Sequence, residues 1–123
     1  MTGRVLGFFL LLSLGYGPVV WAVECFGVAQ TKTMVTTSYE TVTVADTAIG
    51  ITAANVGALM MVTVETAPLR FRTDGTDPTA TEGHLVGSGA SFTVCGGGNI
   101  LAFRAIRTTG TSAVLKVTQY KAQ

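Results

Sequence analysis

Apolar and polar residues alternate with a period of two along most of this chain, which is the signature of half-buried strands. Tyr39-Glu40-Thr41-Val42-Thr43-Val44 places Val42 and Val44 on one face, and Asp46-Thr47 ends the run. Ala48-Ile49-Gly50-Ile51 is a second, short candidate. Asn55-Val56-Gly57 then turns the chain into residues 58–65, apolar enough for a central strand. Ala67-Pro68 interrupts, because proline cannot donate to a ladder. Beyond it, Leu69 and Phe71 face one way and Arg70 and Arg72 the other. Residues 90–95 align Phe92 with Val94, residues 100–107 align Leu101, Phe103 and Ala105, and residues 113–120 form a long last strand. Gly96-Gly97-Gly98-Asn99 reads as a turn cluster and Thr109-Gly110-Thr111 as a tight hairpin turn. The count is about seven strands with turn signals every ~8–12 residues. No adequate window outside the N-terminus has a 3.6-residue period. The pattern predicts an all-β fold: a single antiparallel immunoglobulin-like β-sandwich over residues 34–123, with an open barrel as the variant architecture.

Composition agrees and narrows the partners. Twenty threonines and 15 glycines in 123 residues suit strands and turns. Hydrophobic content of 48% with 12% charged residues excludes a disordered chain. Net charge is +1, and from Met34 onward six basic residues balance six acidic ones. No basic face is apparent that could neutralise a run of phosphates, so no nucleic-acid partner is expected.

The N-terminus is different. Arg4 precedes an apolar run from Val5 to Leu14, Gly15, Gly17 and Pro18 break it, and Val20-Trp21-Ala22 follows. Residues 1–33 therefore form a hydrophobic leader and linker with three readings. It is an export signal cut after Ala22, a retained anchor that would bring a membrane contact, or a stretch upstream of a working start near Met34. Cys25 and Cys95 allow one intramolecular disulfide, which an exported chain would form at a gain of about 4 kcal/mol on the loop-entropy model. With a start at Met34, Cys95 is a small buried hydrophobe.

The densest polar pattern is Arg70-Phe71-Arg72-Thr73-Asp74-Gly75-Thr76-Asp77-Pro78, followed by Glu82 and the single histidine, His84. Asp74, Asp77, Glu82 and His84 carry metal-ligand atoms, but calcium wants about six to eight oxygens and so short a loop supplies fewer. A turn explains the same residues. Asp74 and Asp77 hydrogen-bond nearby backbone, Gly75 accepts positive φ, and Pro78 fixes its own φ. Ser88 and Ser91 lie near His84, yet Gly87-Ser88-Gly89 is too short for a nucleophile elbow, and one imidazole with no orienting partner makes no triad. The expectation is no enzyme, no cofactor and no metal. Arg70, Arg72, Arg104 and Arg107 are expected to alternate outward on two strands and pair with Glu65 or Glu82. The glycine triplet is expected to lead into a strand, unlike a phosphate loop, which opens a helix.

Two resemblances rest on these residues. Leu69-Arg70-Phe71-Arg72-Thr73-Asp74-Gly75-Thr76-Asp77-Pro78-Thr79 resembles the turn signature of immunoglobulin-like modules appended to chitobiase-type glycosidases, where it is structural. Over residues 34–120 the chain also resembles small tailed-phage virion proteins encoded among head and tail genes. Tyr39-Glu40-Thr41-Val42-Thr43-Val44-Ala45-Asp46-Thr47-Ala48, the central Phe71-Arg72-Thr73-Asp74-Gly75-Thr76-Asp77-Pro78-Thr79, Phe103-Arg104-Ala105-Ile106 and Val117-Thr118-Gln119-Tyr120 carry that likeness. It implies a capsid decoration or head or tail accessory protein, located in the virion, whose partners are capsid or tail subunits and copies of itself in an oligomer or lattice. The leader at residues 1–33 departs from that pattern. Taken at face value, it implies instead a secreted or periplasmic, disulfide-bonded binding module.

Overall fold

A computed structural model describes residues 33–123 in full, and residues 24–25 and 28–29 by their backbone alone. The latter are β1 (Glu24–Cys25) and β2 (Val28–Ala29), an antiparallel pair. The chain divides into two units, Met1–Lys32 and Thr33–Gln123. The export-signal and anchor readings, and the side chain of Cys25, fall outside the described residues.

Seven strands make up the second unit: β3 (Met34–Val44), β4 (Leu59–Glu65), β5 (Leu69–Arg72), β6 (His84–Val86), β7 (Ser91–Cys95), β8 (Arg104–Arg107) and β9 (Ala113–Ala122). They form two antiparallel sheets packed as a sandwich, one in the order β3-β9-β4-β7 and one in the order β6-β5-β8. The expected architecture is therefore the one present. Its strand order is its own. In a constant-type immunoglobulin domain the last strand lies beside the sixth. Here β9 lies between β3 and β4, which makes it the spine of the larger sheet.

Alternation puts the core where the sequence places it. Val42 and Val44 on β3, Met60, Val62 and Val64 on β4, and Ala113, Leu115 and Val117 on β9 are buried and face Leu69 and Ala105 of the smaller sheet. Burying each large side chain of this kind contributes about 1.5–3 kcal/mol. Phe71 stacks on Phe92 at 4.6 Å with planes 2° apart, and Phe103 closes the cluster 5.4 Å from Phe71. Phe92 stands on β7 and Phe71 on β5, so this cluster ties the two sheets together.

Several local expectations are corrected. The first strand begins at Met34 rather than Tyr39, with a bulge between Thr36 and Ser38 where the Thr37 hydroxyl donates to the Gln119 carbonyl. Ile49 makes only an isolated bridge to Ala105, while His84–Val86 is a strand. Residues Gly97–Leu101 form a short helix, α1, that crosses between the sheets instead of a turn into a strand. Glycine is a poor helix former, so tertiary contacts supply what propensity withholds. Ile100 is buried and the Asn99 amide donates to the Cys95 carbonyl at 2.9 Å. Leu101 consequently leaves the expected Phe103–Ala105 face and is exposed. The segment at Thr109-Gly110-Thr111 is not a hairpin, because β8 and β9 belong to different sheets.

Candidate functional site

The polar stretch singled out by its sequence becomes the connection between β5 and β6. Those strands pair antiparallel, with Leu69 opposite Val86 and Phe71 opposite His84, so residues 73–83 reverse the chain. Asp74 Oδ1 accepts the Thr76 amide at 3.2 Å, the two-residue-on bond of an Asx turn. Gly75 has φ of 84°, the left-handed region where a glycine carries no Cβ penalty. Pro78 is buried beneath the loop. Thr79 closes a second turn: its hydroxyl accepts the Thr81 and Glu82 amides, and its backbone exchanges hydrogen bonds with Glu82.

Arginines from the smaller sheet hold this loop in place. Arg70 donates to the carbonyls of Ala80 at 3.1 Å and Gly83 at 2.7 Å. Arg72 grips Asp74 with two nitrogens, Nε to Oδ1 at 3.1 Å and Nη2 to Oδ2. Arg104 reaches Asp77 Oδ1 at 2.9 Å and the Ala48 carbonyl at 3.1 Å. The expected partners Glu65 and Glu82 are therefore replaced by Asp74, Asp77 and main-chain carbonyls. Arg107 does not join this set. Strand alternation puts it on the opposite face from Arg104, where it meets Ser112 and Asp46.

Electrostatics follow the same geometry. The hydrogen bonds from Arg72, together with the Thr76 amide, hold the Asp74 carboxyl down to about 2, and the pairing raises Arg72 above its ordinary value. Arg72, Thr73, Asp74, Glu82, Gly83 and His84 line a shallow open concavity. His84 is exposed at its rim with its ring tilted against Phe71 at 5.4 Å. Among the described residues, no group of three or more His, Cys, Asp or Glu is placed to hold a metal ion. Asp74 and Asp77 turn to separate arginines instead of converging, so the arrangement does the work of bracing a loop. Compared with known proteins, the chain matches no family model, no curated protein and no solved structure.

Other polar residues matter more than their sequence context suggests. Glu40 accepts from the Thr52 amide and hydroxyl and from Asn55 Nδ2, tying the connection before β4 back to β3. Gln119 is fully buried and its Oε1 accepts the Gly57 amide at 3.1 Å. Its position is legible in hindsight, since Ala113, Leu115, Val117 and Gln119 form one inward row. Cys95 is half-buried and disulfide-bonded in the full chain.

Proposed function

We propose that the chain is a non-enzymatic structural protein of a phage virion, a capsid decoration or a head or tail accessory part. It acts through repeated protein–protein contacts with capsid or tail subunits and with copies of itself. A coincidence of boundaries carries the reading. The resemblance to small tailed-phage virion proteins starts at Met34, and the sandwich unit starts at Thr33 with its first strand opening at Met34. The surface has the character such a part needs. Neighbouring strands align Tyr39, Thr118, Met61 and Thr93 in one row and Thr41, Lys116, Thr63 and Ser91 in the next, eight side chains with a single charge. β3, at the edge of this sheet, is 11 residues long and contains no lysine, arginine or proline, the residues that commonly blunt an edge. Weak contacts through such a face gain avidity when repeated over a symmetric lattice. Mass spectrometry of purified particles tests the proposal: the protein is expected at a fixed ratio to the major capsid or tail subunit, and its absence would sink the reading.

One observation favours a second reading. A disulfide at Cys95 fits an oxidising compartment better than a reducing one. An exported binding module, secreted or periplasmic, would then carry a mature N-terminus at Val23, whereas the virion reading expects Met34. N-terminal sequencing and thiol titration of the native protein separate the two.

A further inference from the structure

We propose that Asp74–Gly75 is a latent isomerisation site that the Arg72 guanidinium and the Thr76 amide hold shut. An aspartate followed by glycine is prone to attack on itself, because no Cβ at the second residue shields the backbone nitrogen. In that reaction the Gly75 nitrogen bonds to Asp74 Cγ and the carboxyl oxygen leaves as water, carrying the nitrogen's proton. The product is a five-membered succinimide. Water then opens the ring at either carbonyl, restoring aspartate or leaving isoaspartate with the main chain routed through Cγ. Water is the only co-reactant, and no net change in mass results.

Nothing steric prevents this reaction here. The Asp74 side chain is 53% exposed, and a Cβ added at Gly75 would meet no atom within 4 Å. Restraint comes from hydrogen bonds alone. Arg72 Nε holds Oδ1 at 3.1 Å and Nη2 holds Oδ2, while the Thr76 amide shares Oδ1 at 3.2 Å. Both oxygens are thus engaged by Arg72, and Oδ1 by the Thr76 amide as well. The same bonds favour the carboxylate over the neutral acid, and the neutral acid is the form with a competent leaving group. The other ionisable groups lining the same concavity are Glu82 and the exposed His84. Isomerisation would add a main-chain carbon to the loop and displace Asp77 from Arg104, so the damage would spread from the turn to the brace beside it.

The test is peptide mapping for isoaspartate at residue 74 after prolonged incubation of the full chain at neutral pH. Native wild type, native Arg72→Gln, native Arg72→Lys and wild type unfolded in guanidinium are compared. Holding the carboxyl at about 2 instead of 3.8 makes the neutral acid ~60-fold rarer, which solvent screening of an exposed pair discounts to about tenfold. Native wild type should therefore isomerise about tenfold more slowly than the unfolded chain, with Arg72→Gln faster than native wild type and, with the Thr76 bond kept, slower than the unfolded chain. Arg72→Lys should fall between native wild type and Arg72→Gln, since an ammonium cannot engage both oxygens as a planar fork does. Circular dichroism checks that each variant folds, and if Arg72→Gln does not, Arg72→Lys carries the comparison. Equal rates in native and unfolded wild type would overturn the proposal. So would a folded Arg72 variant that isomerises as slowly as native wild type.

Discussion

Gly57 has the tightest surroundings of the described glycines. A Cβ there would lie 2.5 Å from the Tyr120 carbonyl oxygen, 3.1 Å from its carbon and 3.3 Å from its nitrogen. These are main-chain atoms of β9, held between β3 and β4, and they cannot give way as the tip of a side chain would. The Gly57 amide also donates to Gln119 Oε1, and Gln119 Nε2 has no hydrogen-bond partner among the described residues. Gly57→Ala must push the connection off β9. Overpacking of this kind costs about 1–3 kcal/mol. Stretching a buried hydrogen bond to an amide so poorly satisfied adds about 1–2 kcal/mol. A total near ~3 kcal/mol corresponds to a fall in Tm of ~12–24 °C for a domain this size. Gly87→Ala is the control, because its Cβ would meet nothing within 4 Å and its φ is not positive. It should change stability by less than ~0.5 kcal/mol. Guanidinium unfolding followed by circular dichroism reads both. If Gly57→Ala loses no more than Gly87→Ala, the close approach to Tyr120 is wrong, and with it the register of Leu59 against Tyr120.

The turn makes three further predictions. Gly75→Val should cost about 1–2 kcal/mol through backbone strain alone, since φ is 84° and the space is open; an unchanged unfolding midpoint would refute that. His84→Ala should cost less than ~1 kcal/mol, because an exposed ring resting on Phe71 is all that is lost, and a collapse of the fold would show that His84 holds more than this contact. Asp74 titrates about 2 when folded against an ordinary 3.8, so its contribution is fully present above pH ~4 and is lost as pH falls through ~2. The stability gap between wild type and Asp74→Asn should shrink across that window, and a gap that stays flat there would contradict the pairing with Arg72.

Alternation was enough to settle the class of fold and much of its core. Val42, Val44, Leu69, Phe71, Val94, Leu115 and Val117 sit on inward faces because a strand offers only two faces, and burying apolar area decides between them. The Asp74-Gly75 turn was legible for a similar reason, since its hydrogen bond spans two residues and its φ is a property of one. What lay beyond the sequence depends on contacts between residues distant along the chain. Which sheet β9 joins is decided by its long pairing with both β3 and β4, and no local signal at Gly110 encodes that choice. The helix at Gly97–Leu101 exists against its own propensity because Ile100 finds a buried place between the sheets. The partners of the arginines were hidden likewise. Arg104 and Asp77 are 27 residues apart and meet only once β5, β6 and β8 lie side by side. Period and turn chemistry are local and can be read residue by residue, whereas strand order and side-chain pairing are settled by which surfaces meet when the two sheets close.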